Sequence, residues 1–199
     1  MARRRDPEAT KSRILSAAAT EFAEHGLEGA RYDRIAARAP ANKERIYAYF
    51  GDKEQLFASV LEEQMPPFAA AHAIADPHRI SDLAGELFDF HANNPELTRL
   101  VLWEALKYGS EPVPAAVARA EHYSSRRDAV ASALGASGLL DPGHLSFALT
   151  SLVAWWFAAP QLARFHIDGD PRSPEAHATH RAIVVEAATR LLAAPITDD

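Results

Sequence analysis

Cysteine is absent from the 199-residue sequence. Its absence excludes disulfide bonds and thiolate metal ligands, and it fits a reducing compartment. No apolar run approaches the roughly 20 residues that a membrane-spanning helix needs, and no apolar signal core follows the basic first residues. These absences predict a cytoplasmic protein that has no targeting segment and does not interact with membranes.

Sequence signatures of β-structure and of catalysis are also lacking. No segment alternates β-branched and polar residues, so no β-sheet is predicted. A glycine-rich phosphate loop and a nucleophile elbow are absent. His177 and His180 are three residues apart and could share one helix face, but no Glu-x-x-His pair supports a metal site in a helical bundle. We predict that the chain is not an enzyme and that it has no metal and no cofactor.

Charge is unevenly distributed along the chain, whose net charge is −6. Residues 1–50 contain ten Lys or Arg and seven Asp or Glu, whereas the remaining residues contain 11 and 20. This pattern indicates a basic head, which could contact nucleic acid, on an acidic body. Chance fluctuation in a short window is the alternative explanation.

The predicted fold class is all-α. A capping side chain precedes proline at Asp6-Pro7, Asp141-Pro142 and Ser173-Pro174, which is typical of helix starts. Apolar periodicity and the breaks at glycine and proline predict four short helices and then six further ones. Their approximate ranges are 7–25, 31–39, 43–50, 52–64, 68–75, 80–93, 95–108, 113–135, 142–167 and 174–194.

The segment ANKERIYAYFGDKEQLF, residues 41–57, predicts the second half of a helix-turn-helix. Asn42 is a suitable cap for a short helix that buries Ile46 and Phe50. Asp52 and Gln55 have the spacing of a capping box at the start of the next helix. In such a motif the first residues of the second helix reach base edges in the major groove, and tyrosine hydroxyls reach phosphates.

Four elements in order carry a family resemblance: ILSAAATEFAEHG, RIAARA, IYAYF and GDKEQLF. Together they resemble the DNA-binding head of tetracycline-repressor (TetR) family regulators. The resemblance implies an N-terminal three-helix helix-turn-helix DNA-binding domain, residues 1–54. It also implies a C-terminal helical domain for ligand binding and dimerisation, residues 55–199.

Positions that match the family pattern are expected to contact DNA: Arg31, Lys43, Glu44, Arg45, Tyr47, Tyr49 and Lys53. The sequence departs from the family pattern at the turn, which contains Pro40, and at the start of the second helix, where Ala30 and Arg31 occupy the place of the usual Thr or Ser. Asp33 stands where some members have a basic residue, so little base contact is expected from this helix. The arginines of residues 3–5 are either a minor-groove arm or a mobile tail.

The C-terminal part is expected to form a homodimer through its last two long helices, with Val184 and Leu191 in the interface. Trp155 and Trp156 fit either that interface or the core of one subunit. Aromatic residues and a few polar anchors suggest a pocket for a small-molecule ligand. The predicted lining comprises Trp103, Glu104, Tyr108, His122, Tyr123, Phe147 and Trp156.

These expectations predict a transcriptional regulator, a repressor that a small molecule releases from a palindromic double-stranded DNA operator. The alternative is a ligand-binding or scaffolding helical dimer whose N-terminal head makes a contact other than DNA. The fourth helix links the head covalently to the body and is the expected lever between them. Pro66-Pro67 either transmits that motion or only ends the helix.

Overall fold

The computed structural model describes residues 6–65, 78–114, 116–134 and 141–193, and within them every regular element is an α-helix. This confirms the predicted all-α class. No described helix combines the length and the apolar character that crossing a bilayer requires. The helices are α1 (Pro7–Gly29), α2 (Tyr32–Arg38), α3 (Lys43–Phe50), α4 (Lys53–Gln64), α5 (His78–Asn93), α6 (Pro95–Tyr108), α7 (Ala116–Leu134), α8 (Pro142–Ala158), α9 (Pro160–Ala163) and α10 (Pro174–Ala193).

The chain forms two compact units, the first of which comprises Met1–Met65 and Glu96–Arg119. Helices α1 to α4 pack together in this unit, and α6 belongs to it as well. The rings of Phe22 and Phe57 meet edge to face, with their centroids 5.0 Å apart, a favoured aromatic geometry. The fully buried side chains of this core include Ile14, Phe22, Ile35, Ile46, Leu56, Phe57, Val60 and Leu61.

Helix α1 is interrupted at Gly26, whose φ of 67° and ψ of 179° are not helical. The sequence predicted a helix over 7–25 that stops at Gly26; helical conformation is lost at Gly26 as predicted, but the helix resumes and extends to Gly29. At the other end, the side chain of Asp6 accepts a hydrogen bond from the backbone N–H of Glu8 at 3.0 Å, so it caps the helix as expected.

The helix-turn-helix boundaries follow the predicted capping residues. The side chain of Asn42 accepts a hydrogen bond from the N–H of Arg45 at 3.1 Å and starts α3. Asp52 and Gln55 form the predicted capping box of α4. Between α2 and α3, Pro40 has a φ of 26°, far from the value near −65° that its ring favours, so the turn is strained at this residue.

The second compact unit comprises Pro66–Pro95 and Ala120–Asp199. Helices α5, α8 and α10 pack on one another there, and most of α7 belongs to the same unit. Its buried cluster contains Ala84, Phe88, Ala129, Val130, Leu145, Leu149, Val153, Val184 and Ala188. Val184 is only 1% exposed, so its predicted place in a subunit interface is wrong.

The helix expected over 142–167 was also expected to be kinked or broken at Pro160, and the break is confirmed. Helix α8 ends at Ala158, and Pro160 opens the four-residue helix α9, because proline has no N–H to continue the preceding helix. The predicted helix over 68–75 and Pro66-Pro67 lie outside the described residues. The predicted boundary between a DNA-binding domain and a C-terminal domain after residue 54 stays a prediction.

Candidate nucleic-acid interface

The start of α3 presents the residues expected to read bases. Lys43 and Glu44 are exposed and Arg45 is half-buried, while Ile46 is fully buried and fixes the helix on the core. Arg31, just before α2, is exposed as well. The cap at Asn42 holds the first turn of α3 in place, so its long side chains project from a rigid backbone.

Tyr47 has an aromatic partner on α2. Its ring stacks on that of Tyr32 with centroids 4.5 Å apart and an interplanar angle of 25°, yet 51% of Tyr47 stays exposed. Burial, with a smaller contribution from Tyr47, raises the pKa of the Tyr32 hydroxyl to about 12. That hydroxyl donates to the backbone oxygen of Gly51 at 3.4 Å. Tyr32 therefore connects α2 with α3 and with the turn that follows α3.

Tyr49 and Lys53, the expected phosphate contacts, are both half-buried. The ammonium of Lys11 lies 5.7 Å from the ring centroid of Tyr49, within the range of a cation–π interaction. The ammonium of Lys53 donates to the backbone oxygen of Glu28 at 3.4 Å. Their phosphate contacts stay predictions.

Asp33 is ion-paired with Lys43 across the helix-turn-helix. The carboxylate Oδ1 of Asp33 lies 2.6 Å from the Nζ of Lys43. The side chains are 73% and 46% exposed, respectively. The hydrogen bond to Asp33 raises the pKa of Lys43 above its ordinary value. Sequence reasoning treated these two residues separately and missed the pair.

A buried carboxylate fixes the start of α2. Glu21 is 0% exposed, and its Oε1 accepts hydrogen bonds from the backbone N–H of Arg31 at 2.9 Å and from Nε of Arg34 at 2.7 Å. Burial alone would raise the pKa of Glu21, but those hydrogen bonds and the charge of Arg34 together lower it. No side chain caps α2 locally, so Glu21 of α1 takes that role. The available sequence signal was an acidic residue beside Phe22 on the buried face of α1.

The carboxylates of Glu21 and Glu24 lie close enough to His25 to hold a metal ion. Arginine already neutralises them, because Arg38 donates to Glu24 at 2.9 Å and Arg34 donates to Glu21. A cation placed there would face two guanidinium groups, so the cluster is better described as an ion-pair network that joins α1 to α2.

Helix α6 attaches to the end of α1 within the first unit. Arg99 and Trp103 donate to the backbone oxygen of Ala23, at 2.8 Å and 3.3 Å. Lys107 forms an ion pair with Glu28 at 2.7 Å. Sequence reasoning did not predict this attachment, because the paired residues are about 80 positions apart.

The predicted pocket residues are divided between the two units. In the first unit, Trp103 lies against α1, Glu104 is buried in an ion pair with Arg119, and the hydroxyl of Tyr108 is buried without a hydrogen-bond partner among the described residues. In the second, Tyr123 is 45% exposed and Phe147 is 75% exposed.

Trp156, also in the second unit, stacks on His180 with centroids 4.0 Å apart. The side chain of His122 lies outside the described residues. A pocket lined by the predicted residues stays a prediction.

Five large apolar side chains of α8 and α10 are exposed in the second unit, and they are called here the apolar surface of α8 and α10. Its residues are Phe147, Leu152, Trp155, Ile183 and Leu191, each of them between 39% and 75% exposed. Leu191 is one of these exposed residues, and its place in a subunit interface stays a prediction, whereas Val184 belongs to the core.

Comparisons with known proteins agree on one family. Residues 14–60 match the model described as bacterial regulatory proteins, tetR family, and residues 80–190 match a tetracyclin repressor-like C-terminal domain. The HTH-type transcriptional repressor SCO4008 of Streptomyces coelicolor is 45% identical over 168 residues, which is 83% of this chain and 87% of that protein.

Two further relatives extend this agreement. The HTH-type transcriptional repressor NicS of Pseudomonas putida is 36% identical over 106 residues, half of each chain. The transcriptional regulator SCO4942 from Streptomyces coelicolor is 33% identical in sequence to this chain. Its crystal structure superposes with a TM-score of 0.72 over 94% of this chain and 99% of that one.

Proposed function

Because the chain belongs to the tetracycline-repressor family of DNA-binding transcriptional regulators, we propose that it is a repressor that binds a palindromic operator as a homodimer. A small molecule bound by the C-terminal helices then releases it from the DNA. The names of its relatives favour this function over that of a scaffolding dimer with a non-DNA contact.

The start of α3 is the observation that carries this proposal. Its backbone is fixed by the cap at Asn42 and by buried Ile46, while Lys43, Glu44 and Arg45 extend from its first turn. A rigid, narrow helix with long polar side chains at its N-terminal end has the shape and the chemistry that major-groove reading requires.

Selection of bound sequences from random duplex DNA tests base reading. Arg45 can donate two hydrogen bonds to one guanine, a contact that discriminates between bases by about 1–3 kcal/mol. We expect Arg45→Ala to lose preference at one base pair in each half-site. A variant that selects the wild-type sequences unchanged would show that Arg45 does not read bases.

The salt dependence of DNA affinity tests the phosphate contacts. Lys53→Ala should weaken binding to all sequences alike and reduce the slope of log affinity against log salt by about one, because one fewer counterion is released. Arg127→Ala, at an exposed position of α7 in the second unit, is the matched control and should leave the slope unchanged.

The apolar surface of α8 and α10 supports the homodimer part of the proposal. A two-fold dimer presents two copies of α3 and reads half-sites about 34 Å apart or somewhat more, so the selected sequences should be palindromic. A selected site with only one half and no symmetry would argue against a dimer on DNA.

In this proposal ligand binding affects the DNA-binding helices through α4 and through α6, both of which are attached to α1. Helix α4 continues directly from α3, while Arg99 and Lys107 connect α6 to α1. We propose that a ligand favours a state in which these helices are shifted, with a coupling free energy between ligand binding and DNA binding of about 1–3 kcal/mol.

Calorimetry of ligand binding with and without operator tests this coupling, since reciprocity requires the operator to weaken ligand binding by the same factor. Equal affinities would show that the ligand is not an inducer.

A further inference from the structure

We propose that Asp33 is a specificity-determining residue, which holds Lys43 in place and adds an acceptor beside it so that the pair selects one G·C base pair in each half-site. This inference rests on the proposed DNA-binding function and assigns to α2 a role in base selection. Asp33 is the second residue of α2 and Lys43 is the first residue of α3, and their charged atoms are 2.6 Å apart.

The charge of the pair favours bases over phosphates as its target. A lysine that contacts phosphate gains affinity by releasing a counterion. The carboxylate of Asp33 cancels that gain for Lys43 and also repels the DNA backbone. An acidic side chain on this surface therefore weakens non-specific DNA binding. A directional hydrogen bond to a base would offset that loss.

One base pair offers matching partners for both side chains. In the major groove, guanine presents its N7 and O6 acceptors, which suit the ammonium of Lys43. The cytosine of the same pair presents its N4 amine, which donates to a carboxylate such as that of Asp33. Both side chains are exposed, at 46% and 73%, so each can change its rotamer while its helix stays folded.

The other explanation is a plain surface ion pair that only fastens α2 to α3. Exposed ion pairs of this kind contribute little to stability. That role predicts a small change in folding and an unchanged base preference when Asp33 is replaced. The two explanations thus differ in whether Asp33→Ala loses its preference at one base pair.

The experiment compares the full-length wild type with Asp33→Ala, Lys43→Met and the double variant, by selection from random duplex DNA and by salt titration on a non-specific duplex. For Asp33→Ala we expect about 5-fold to 150-fold less discrimination at one base pair per half-site. We also expect tighter non-specific binding, with a salt slope steeper by about one, because Lys43 is freed to contact a phosphate. Lys43→Met should lose preference at the same base pair, and the double variant should lose little more.

Glu63→Gln is the matched control, because it removes one exposed negative charge from the far end of α4 and should change neither the selected sequence nor the salt slope. If Asp33→Ala keeps the wild-type base preference, whatever its non-specific affinity, the pair is only a surface ion pair and the inference is overturned. If the wild type itself selects no sequence, the proposed function is overturned together with the inference.

Discussion

The indole ring of Trp103 lies in the space that a side chain at Gly26 would occupy. A Cβ atom built on Gly26 would be 2.8 Å from the Cδ2 and Cε3 atoms of the indole. The φ of Gly26 is also positive, at 67°, so two separate constraints require glycine at this position. Helix α6 therefore attaches to α1 at the residue where α1 loses its helical conformation.

Gly26→Ala should destabilise the protein by about 2 kcal/mol or more, because strain at positive φ adds to the clash with Trp103. Thermal and urea unfolding measure this loss. Gly109→Ala is the matched control, since Gly109 has a φ of 55° but nothing within 4 Å of the added carbon. It should show the cost of the backbone strain alone. Equal losses in the two variants would mean that the indole moves aside at no cost.

Replacing Glu21 should weaken the junction of α1 and α2 in a pH-dependent way. Glu21→Gln removes a buried charge that accepts hydrogen bonds from Arg31 and Arg34, which should cost about 1–3 kcal/mol at neutral pH. The pKa of Glu21 is lowered in the folded protein, so its stabilising effect is complete above the ordinary value of 4.5 and is lost as the pH falls through the folded pKa.

The stability difference between wild type and Glu21→Gln should therefore shrink in acid. Urea unfolding from neutral pH to below pH 4.5 measures it, for as long as the wild type stays folded. A difference that stays constant over this range would show that the charge of Glu21 does not contribute.

Sequence reasoning succeeded where the interacting residues are neighbours in the chain. The caps at Asn42 and Asp52 and the interruption at Gly26 each depend on a few adjacent residues, and all three were predicted. The bonds of Glu21 to α2 and of Trp103 to α1 depend on helices whose packing the local pattern does not encode. Phe147 was assigned to a pocket because aromatic residues suit pockets; the local pattern did not indicate that its side chain is 75% exposed, and its place in a pocket stays a prediction.

His91 should make the second unit less stable in mild acid. Its burial, and to a smaller extent the charge of Arg126, lower the pKa of His91 from 6.5 to about 4. Between these values the unfolded chain binds a proton that the folded chain excludes, so stability is complete above pH 6.5 and falls as the pH drops toward 4. The loss should reach at most about 3 kcal/mol.

His91→Phe keeps an aromatic ring beside Phe157, whose ring is 5.8 Å from that of His91, and removes the titrating group. Unfolding measured from pH 7 to pH 5 should then depend much less on pH. Burial also lowers the pKa of His180, so a weaker dependence should remain. The same pH dependence in wild type and variant would contradict this role of His91.

Charged residues on the apolar surface of α8 and α10 should separate the subunits without unfolding them. Ile183 and Leu191 are 57% and 39% exposed, so Ile183→Glu with Leu191→Glu should leave the folded subunit intact. Each change should cost about 1 kcal/mol or more of association, which together weakens the dimer about 30-fold or more. Sedimentation equilibrium measures the shift, and an intact dimer would place the interface elsewhere. Val184→Ala is the control, because it should lower the unfolding temperature and leave the dimer assembled.

The stack of Tyr32 on Tyr47 should contribute to DNA affinity only through Tyr47. An aromatic pair of this geometry is worth about 0.5–1.5 kcal/mol beyond its buried area, and here it holds an exposed tyrosine of α3 in one orientation. Tyr32→Leu should therefore weaken operator binding by about that amount, or roughly 2-fold to 13-fold. In a Tyr47→Ala background the same change should have almost no further effect, since the residue that Tyr32 positions is gone.

Tyr32→Phe keeps the stack and loses only the hydrogen bond to Gly51, so it should bind DNA nearly as well as the wild type. Operator affinities of the four proteins of the cycle and of Tyr32→Phe provide the measurement. Additive losses from Tyr32 and Tyr47 would show that Tyr32 acts on the fold as a whole and not on the orientation of Tyr47.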